Sequence, residues 1–339
     1  MKNKIERTKT KAFWQHLVTL IILGLAVHLL LPQITTLENS WKILSKMLFW
    51  AVGLAFIAQT ISYIGSGFLL QNTLELVNQP VPLYRSTLVV LGAASVALVA
   101  GGTVGSSAAI FKWTSNEKGS IVGATLASLF PSLFTSLMLV VFSFFGVIHL
   151  FLVHDLTKTQ IIGFSLTLVF LSAVIILSFL ASHFRKRASS VIHWLGKTFA
   201  NLRHQPFNPD LIQNEVDIIF FAWDELWKGK WLHLFLGAFI NVSFDMLTLY
   251  CVFFATGDHI SIGVLLSGYA LPLILGRLAF FLPGGVGVIE SSMAALYTGL
   301  GIPNATAVVV ILGYRLISFW IPSILGFPIA AYLQNSNNK

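Results

Sequence analysis

Charge is scarce in this sequence. Only 10% of its 339 residues are Asp, Glu, Lys or Arg, against about 25% in soluble domains, so there is too little polar surface to cover a water-soluble fold. Acidic residues are the scarcer kind: 13 stand against 21 Lys and Arg, for a net charge of +8. Cysteine occurs once, as Cys251 within an apolar run, which excludes an intramolecular disulfide and a cysteine-based metal cluster. A complete phosphate-binding loop is also missing. Gly196-Lys197-Thr198 would supply its end, but Val191 stands where the first glycine belongs, so no ATP-driven motor is predicted. Nor does the first apolar segment, Phe13 to Leu31, end in a small-residue cleavage pattern; it runs into Pro32 and reads as a retained anchor.

What is present is apolar length. Hydrophobic residues make up 56% of the chain, and the mean hydropathy is +0.81. A hydrocarbon core of about 30 Å needs roughly 20 apolar residues per helical crossing. Stretches of this kind fall at 13–31, 43–70, 86–111, 121–147, 161–182, 231–256, 261–299 and 304–333. They predict an all-α polytopic membrane protein with about six to eight transmembrane helices, forming one membrane domain over 1–339. The long polar interruption, 183–230, opens basic and turns acidic after Asp210. Apolar residues from Val191 to Leu202 recur at helical spacing, as in a helix lying on a membrane surface. Phe220, Phe221, Trp223, Trp227 and Trp231 read as an interfacial aromatic belt. The basic residues cluster beside these segments, which points to anionic lipid and not to nucleic acid.

Counting charges tests the topology. Residues 1–12 hold five basic residues against Glu6, which predicts a cytoplasmic amino terminus. If every apolar segment crossed once, the basic loop 183–230 would lie outside, against the positive-inside rule. The conflict disappears if 86–111 enters the membrane and returns. Gly101-Gly102-Thr103-Val104-Gly105 lies in its middle, and Pro283-Gly284-Gly285-Val286-Gly287 repeats the pattern. Paired glycines allow a helix to break, and a break at membrane depth is tolerated where protein covers it or a polar cavity adjoins it. Two such hairpins predict an inverted repeat, 43–147 and 231–333, with Gly101, Gly102 and Gly105 in the first hairpin. Six crossings then place sixteen basic residues on the cytoplasmic side, including the loop 183–230. Inverted repeats with broken helices are a recurrent transporter architecture.

Ionisable residues inside such segments are costly and therefore functional candidates. They are Asp245 (with Asn241 a turn earlier), Arg277, Glu290 and Arg315. Arg277 precedes the Pro283-Gly284-Gly285-Val286-Gly287 break, Glu290 follows it and Arg315 lies in the next helix. Backbone donors after Gly285 open a half-helix whose positive end favours an anion. This set predicts a site for a phosphate-bearing headgroup, with arginine contacts and with Glu290 holding the other arginine or accepting a headgroup amine. A register-fixing Glu290–Arg315 pair is the alternative. No cofactor is predicted, and His149, His154 and Asp155 in one loop do not amount to a metal site.

From Leu282 to Gly326 the order Pro283-Gly284-Gly285-Val286-Gly287-Val288-Ile289-Glu290, then Gly301, Ala307 and Tyr314-Arg315, resembles the lysylphosphatidylglycerol synthase transmembrane family. That family holds the flippase region of multiple peptide resistance proteins. The resemblance implies that Glu290 and Arg315 are the family's charged pair. The first repeat departs from the pattern, carrying Ala100, Ser106 and Phe130-Pro131 where many members place a proline, a glutamate and later an arginine. The chain also stops at Lys339, without the length for the soluble aminoacyl-transferase domain of bifunctional members, so lipid aminoacylation is not expected.

These readings converge on an inner-membrane, multi-pass flippase-like protein that moves an anionic or zwitterionic phospholipid or a lipid-linked glycan between leaflets. Two other classes are kept in view: an integral membrane transferase with a lipid-linked donor, and a non-transporting scaffold of a cell-envelope enzyme. Self-association is left open.

Overall fold

The computed structural model describes residues 43–115, 121–153, 226–279 and 282–336, with isolated positions between 161 and 224. The amino-terminal segment, most of the 161–182 segment and of the loop 183–230, and His154 with Asp155 lie outside the described residues. Those described are helical, with no strand among them. The helices are α1 (Phe49–Leu76), α2 (Leu83–Ala100), α3 (Gly102–Thr114), α4 (Ile121–Val153), α5 (Trp231–Ala255), α6 (Ile262–Leu278), α7 (Val288–Gly299), α8 (Asn304–Arg315) and α9 (Ile321–Ser336). A 3-10 turn, Pro283–Gly285, separates α6 from α7, and a π turn, Leu316–Trp320, joins α8 to α9.

Five spans among the described residues are long and apolar enough to cross a membrane, and the chain is an all-α polytopic membrane protein. The helices are apolar on all sides, as expected where one face meets protein and the other meets lipid. Their outward faces carry Phe49, Trp50 and Leu152, the last 80% exposed, which suits hydrocarbon and not water. Inward faces carry small residues that let backbones approach.

Both glycine pairs break helices. Gly101 and Gly102 take φ of 88° and 52° between α2 and α3, and Gly284 and Gly285 take 57° and 64° between α6 and α7. Each break reverses the chain into an antiparallel helical hairpin. In the first, Gly105 packs on Val96 and Ala100 while Trp113 packs on Gly92. In the second, Gly276 faces Ile289 and Gly268 faces Tyr297. By length alone α2 could cross a membrane, but the chain turns back at its end.

The halves repeat one plan. Gly102 and Gly285, Ile121 and Asn304, and Val153 and Ser336 are each 183 residues apart, so α1 corresponds to α5, hairpin to hairpin, and α4 to α8–α9. Contacts between halves are reciprocal: α4 packs on α6 as α9 packs on α2. A glycine makes each approach close. A Cβ on Gly146 of α4 would come within 2.7 Å of the Ser267 nitrogen, and one on Gly326 of α9 within 2.3 Å of the Leu91 oxygen.

The two leading helices, α1 and α5, run antiparallel. Leu48 donates its N–H to the Ala255 oxygen at 2.9 Å, Ser62 meets Asn241, and Leu69 meets Gly237. Equivalent helices that oppose each other in direction make the repeats inverted. Near the middle of this seam Ser62 Oγ donates to the Asn241 oxygen at 2.9 Å, and Asn241 Nδ2 donates to the Ser62 oxygen at 3.2 Å. Asn241 therefore has a structural task in addition to its place in the site.

Candidate functional site

The two breaks meet. The 3-10 turn Pro283–Gly285 packs against both α2 and α3, and the space left between the broken helices is a cavity of about 220 Å³. Gly102 and Thr103 reach it from the first hairpin, Gly284 and Gly285 from the second, and Asn241, Asp245, Arg277 and Arg315 from the surrounding helices. Sequence candidates as far apart as Gly102 and Arg315 thus share one space, while Gly101, Gly105, Pro283, Gly287 and Glu290 are not among its lining residues.

Glu290 and Arg315 are partners. Arg315 Nε lies 2.5 Å from Glu290 Oε1, with both residues buried. Each also holds the glycine loop: Arg315 Nη2 donates to the Gly284 oxygen at 2.7 Å, and Glu290 Oε2 accepts the Gly287 N–H at 2.6 Å. The Arg315 guanidinium lies 4.5 Å from the centre of the Phe319 ring, and that ring occupies the space a side chain at Gly284 would need. Pairing a buried charge and satisfying its remaining hydrogen bonds is the arrangement that makes burial tolerable.

This changes what the half-helix end can do. The N–H groups of Gly285 and Val286 are used by Leu282 and Pro283 oxygens within the turn, and that of Gly287 by Glu290. The anion that the positive end of α7 favours is supplied by the chain's own carboxylate. Arg315 is likewise committed, leaving Arg277 as the cation of the cavity.

Arg277 sits near the end of α6 and reaches across to α4. Its Nη1 donates to the Ser132 oxygen at 3.0 Å and to Ser136 Oγ. These partners are neutral, and among the described residues no carboxylate lies within salt-bridge distance of Arg277. By the same 183-residue offset Ser132, and not Phe130-Pro131, holds the place in the first repeat that Arg315 holds in the second, and Ser107, and not Ser106, that of Glu290. The first hairpin consequently has no ion pair at this position; Ser107 Oγ donates instead to the Ser128 oxygen at 3.2 Å.

Asp245, half-buried on α5, accepts hydrogen bonds from the hydroxyls of Tyr269 at 2.8 Å and Tyr314 at 2.6 Å. Ser132, Ser136 and Tyr269 escaped the sequence reading. Serines and a lone tyrosine in apolar helices carry no periodic signal, and only the fold brings them to Arg277 and Asp245. Among the described residues no group of three His, Cys, Asp or Glu side chains is placed to hold a metal.

Fold and site together define a helical membrane protein of the class with two broken-helix hairpins opposed around a charged central cavity. The family model described as "Lysylphosphatidylglycerol synthase TM region" matches residues 18–326, and the chain belongs to that family. Among its relatives, a UPF0104 membrane protein of Pyrococcus horikoshii is 27% identical over 228 residues, 64% of this chain and 66% of that protein. Two UPF0104 membrane proteins of Methanothermobacter thermautotrophicus are 36% and 28% identical over 93 and 99 residues, covering 27% and 29% of this chain and 28% and 29% of theirs. The alignments thus span less than two thirds of each relative's length.

Proposed function

We propose that this chain moves a polar lipid, an anionic or zwitterionic phospholipid or a lipid-linked glycan, between the leaflets of a cell membrane, with the headgroup passing through the central cavity. The observation that carries this reading is Arg277: a guanidinium bound to neutral oxygens, facing the cavity where two helix breaks meet. A cation so placed favours a phosphate, to which it can add charge-assisted hydrogen bonds. Asp245, presented by two tyrosines across the same cavity, suits a headgroup amine or hydroxyl. The inverted repeat supports the same reading, because opposed halves around a midplane site are how many transporters expose one site to either side. The breaks act as two re-entrant hairpins, the first opening to the cytoplasm and the second outward.

Purified protein in liposomes should accelerate leaflet exchange of a headgroup-labelled phospholipid without ATP, and Arg277→Gln should slow it with the fold intact. Exchange no faster than in empty liposomes, for phospholipids and polyprenyl phosphates alike, would favour a scaffold of an envelope enzyme. Exchange unaffected by Arg277→Gln would keep transport and remove the assigned site.

A further inference from the structure

The charges at the central cavity cancel. Arg277 is one positive charge and Asp245 one negative, and Arg315 is balanced by Glu290 in the clasp on the Pro283–Gly285 turn. Such a balance matters at membrane depth, where an uncompensated charge is costly. A zwitterionic headgroup preserves it on entry. An anionic headgroup does not, because it adds a negative charge to a space of about 220 Å³ that already holds the Asp245 carboxylate.

Asp245 can give up its charge without losing its partners. The hydroxyls of Tyr269 and Tyr314 both donate to Oδ2, so Oδ1 can take a proton while Oδ2 goes on accepting both bonds. Gln59, buried on α1, is a further hydrogen-bonding neighbour of the carboxylate. Its amide donates to the anion; turned over, it offers an Oδ1–H the oxygen that is otherwise buried without a partner. The titratable and charged groups around the carboxylate are Tyr63 from α1, Tyr269 and Arg277 from α6, and Tyr314 and Arg315 from α8. The π turn Leu316–Trp320 and α4 also pack on α5, but the turn has no charged residue and His149 of α4 lies against Gly263 at the start of α6. Lys228 and Lys230 precede the start of α5. Glu290 is held by Arg315 and by the Gly287 N–H and does not line the cavity. Among the described residues, Asp245 is thus the carboxylate free to exchange a proton with the cavity.

We propose that Asp245 is the proton site of the central cavity: an anionic headgroup bound at Arg277 brings one proton with it, onto Asp245 Oδ1, and a zwitterionic headgroup brings none. The inference rests on the reading of this cavity as a headgroup site. The proton comes from water and returns to water when the headgroup leaves, so no other reactant is involved. An anionic lipid then crosses with its proton as an electrically neutral pair, while the amine of a zwitterionic lipid takes the proton's place opposite the carboxylate. A metal cation is a poorer companion, because both tyrosines already meet Oδ2 and no second acidic side chain among the described residues lines the cavity. By linkage, a ligand that binds together with a proton binds more weakly as pH rises.

The test is isothermal titration calorimetry of the full chain in detergent, with dioctanoyl phosphatidylglycerol and dioctanoyl phosphatidylethanolamine. It runs from about pH 5 to about pH 8, where the phosphodiester and the amine both keep their charge. Phosphatidylglycerol affinity should fall as pH rises, by up to about tenfold per unit. Over that falling part, buffers of different ionisation enthalpy should report uptake approaching one proton per lipid bound. Phosphatidylethanolamine affinity should stay level, without uptake. Asp245→Asn should hold phosphatidylglycerol at the low-pH wild-type affinity throughout and should weaken phosphatidylethanolamine. Level phosphatidylglycerol affinity, the same slope for both lipids, a slope that survives Asp245→Asn, or dependence on sodium in place of pH would overturn the proposal. Should Asp245→Asn fail to fold, proton uptake by the wild type still decides. Phosphatidylglycerol binding that Arg277→Gln leaves unchanged would instead remove the headgroup site itself, and this inference with it.

Discussion

Arg315 Nε and Glu290 Oε1 approach to 2.5 Å within the buried interior, and each uses its remaining atoms to hold the backbone of the loop between α6 and α7. The pair is thus a clasp on the Pro-Gly-Gly turn as well as an ion pair.

Removing one member should cost more than removing both. Glu290→Ala leaves a buried guanidinium unpaired, with an expected loss of about 3–5 kcal/mol, whereas Glu290→Ala with Arg315→Ala leaves no uncompensated charge. A double-mutant cycle from unfolding in detergent should show strong coupling, and simple additivity would mean that the residues do not act together. Arg315→Lys should rescue poorly, because a single ammonium cannot reach both Glu290 and the Gly284 oxygen in the geometry of the guanidinium fork.

The antiparallel seam of α1 and α5 is intolerant of added atoms. A Cβ at Gly65 would come 2.7 Å from the Asn241 nitrogen, and one at Gly237 2.9 Å from Leu69. Alanine at either position should destabilise by about 1–3 kcal/mol. Gly53 lies on the same helix as Gly65 but has nothing within 4 Å of its added Cβ. Alanine there should be neutral or slightly stabilising, so similar losses at Gly53 and Gly65 would show that packing is not the cause.

Tyr63 compensates for a proline. Pro322 has no N–H, so the Ser318 oxygen four residues earlier lacks its α-helical partner, and the Tyr63 hydroxyl donates to it at 3.2 Å. Tyr63→Phe should cost about 1 kcal/mol in thermal unfolding. In a Pro322→Ala background, where an N–H is restored, that cost should shrink. An undiminished cost would assign the effect to something other than the freed carbonyl.

The charge of the chain carries an expectation about its sidedness. Lys197→Cys in a Cys251→Ser background should be shielded from an impermeant thiol reagent in intact cells and labelled after permeabilisation, because the basic loop 183–230 is expected on the cytoplasmic side. Labelling in intact cells would reverse the assignment and with it the side to which each hairpin opens.

The glycine breaks were legible because paired glycines in apolar runs are local signals, and positive φ at Gly101 and Gly284 is their direct outcome. The Glu290–Arg315 partnership was legible for a related reason: two opposite charges in apolar helices flanking one loop have few other places to go. What escaped depends on chain segments far apart in sequence. Arg277 reads as a member of the second repeat, but its hydrogen bonds go to Ser132 and Ser136 of the first. The π turn at Leu316–Trp320 follows a continuous apolar pattern, in which Pro322 was the one available sign.

Covalent linkage of the two halves permits a chemistry that two identical chains could not share. A homodimer built around the same axis would repeat every side chain, so an arginine reaching over to its neighbour would have a twin doing the same, and a clasp on one turn would be matched on the other. Here Arg277 crosses in one direction only, the end of α2 offering no charge in return, and Ser107 and Ser132 stand where a second clasp would be. The backbone keeps its two-fold pattern while the charge does not, and the cavity has a distinct sense of direction.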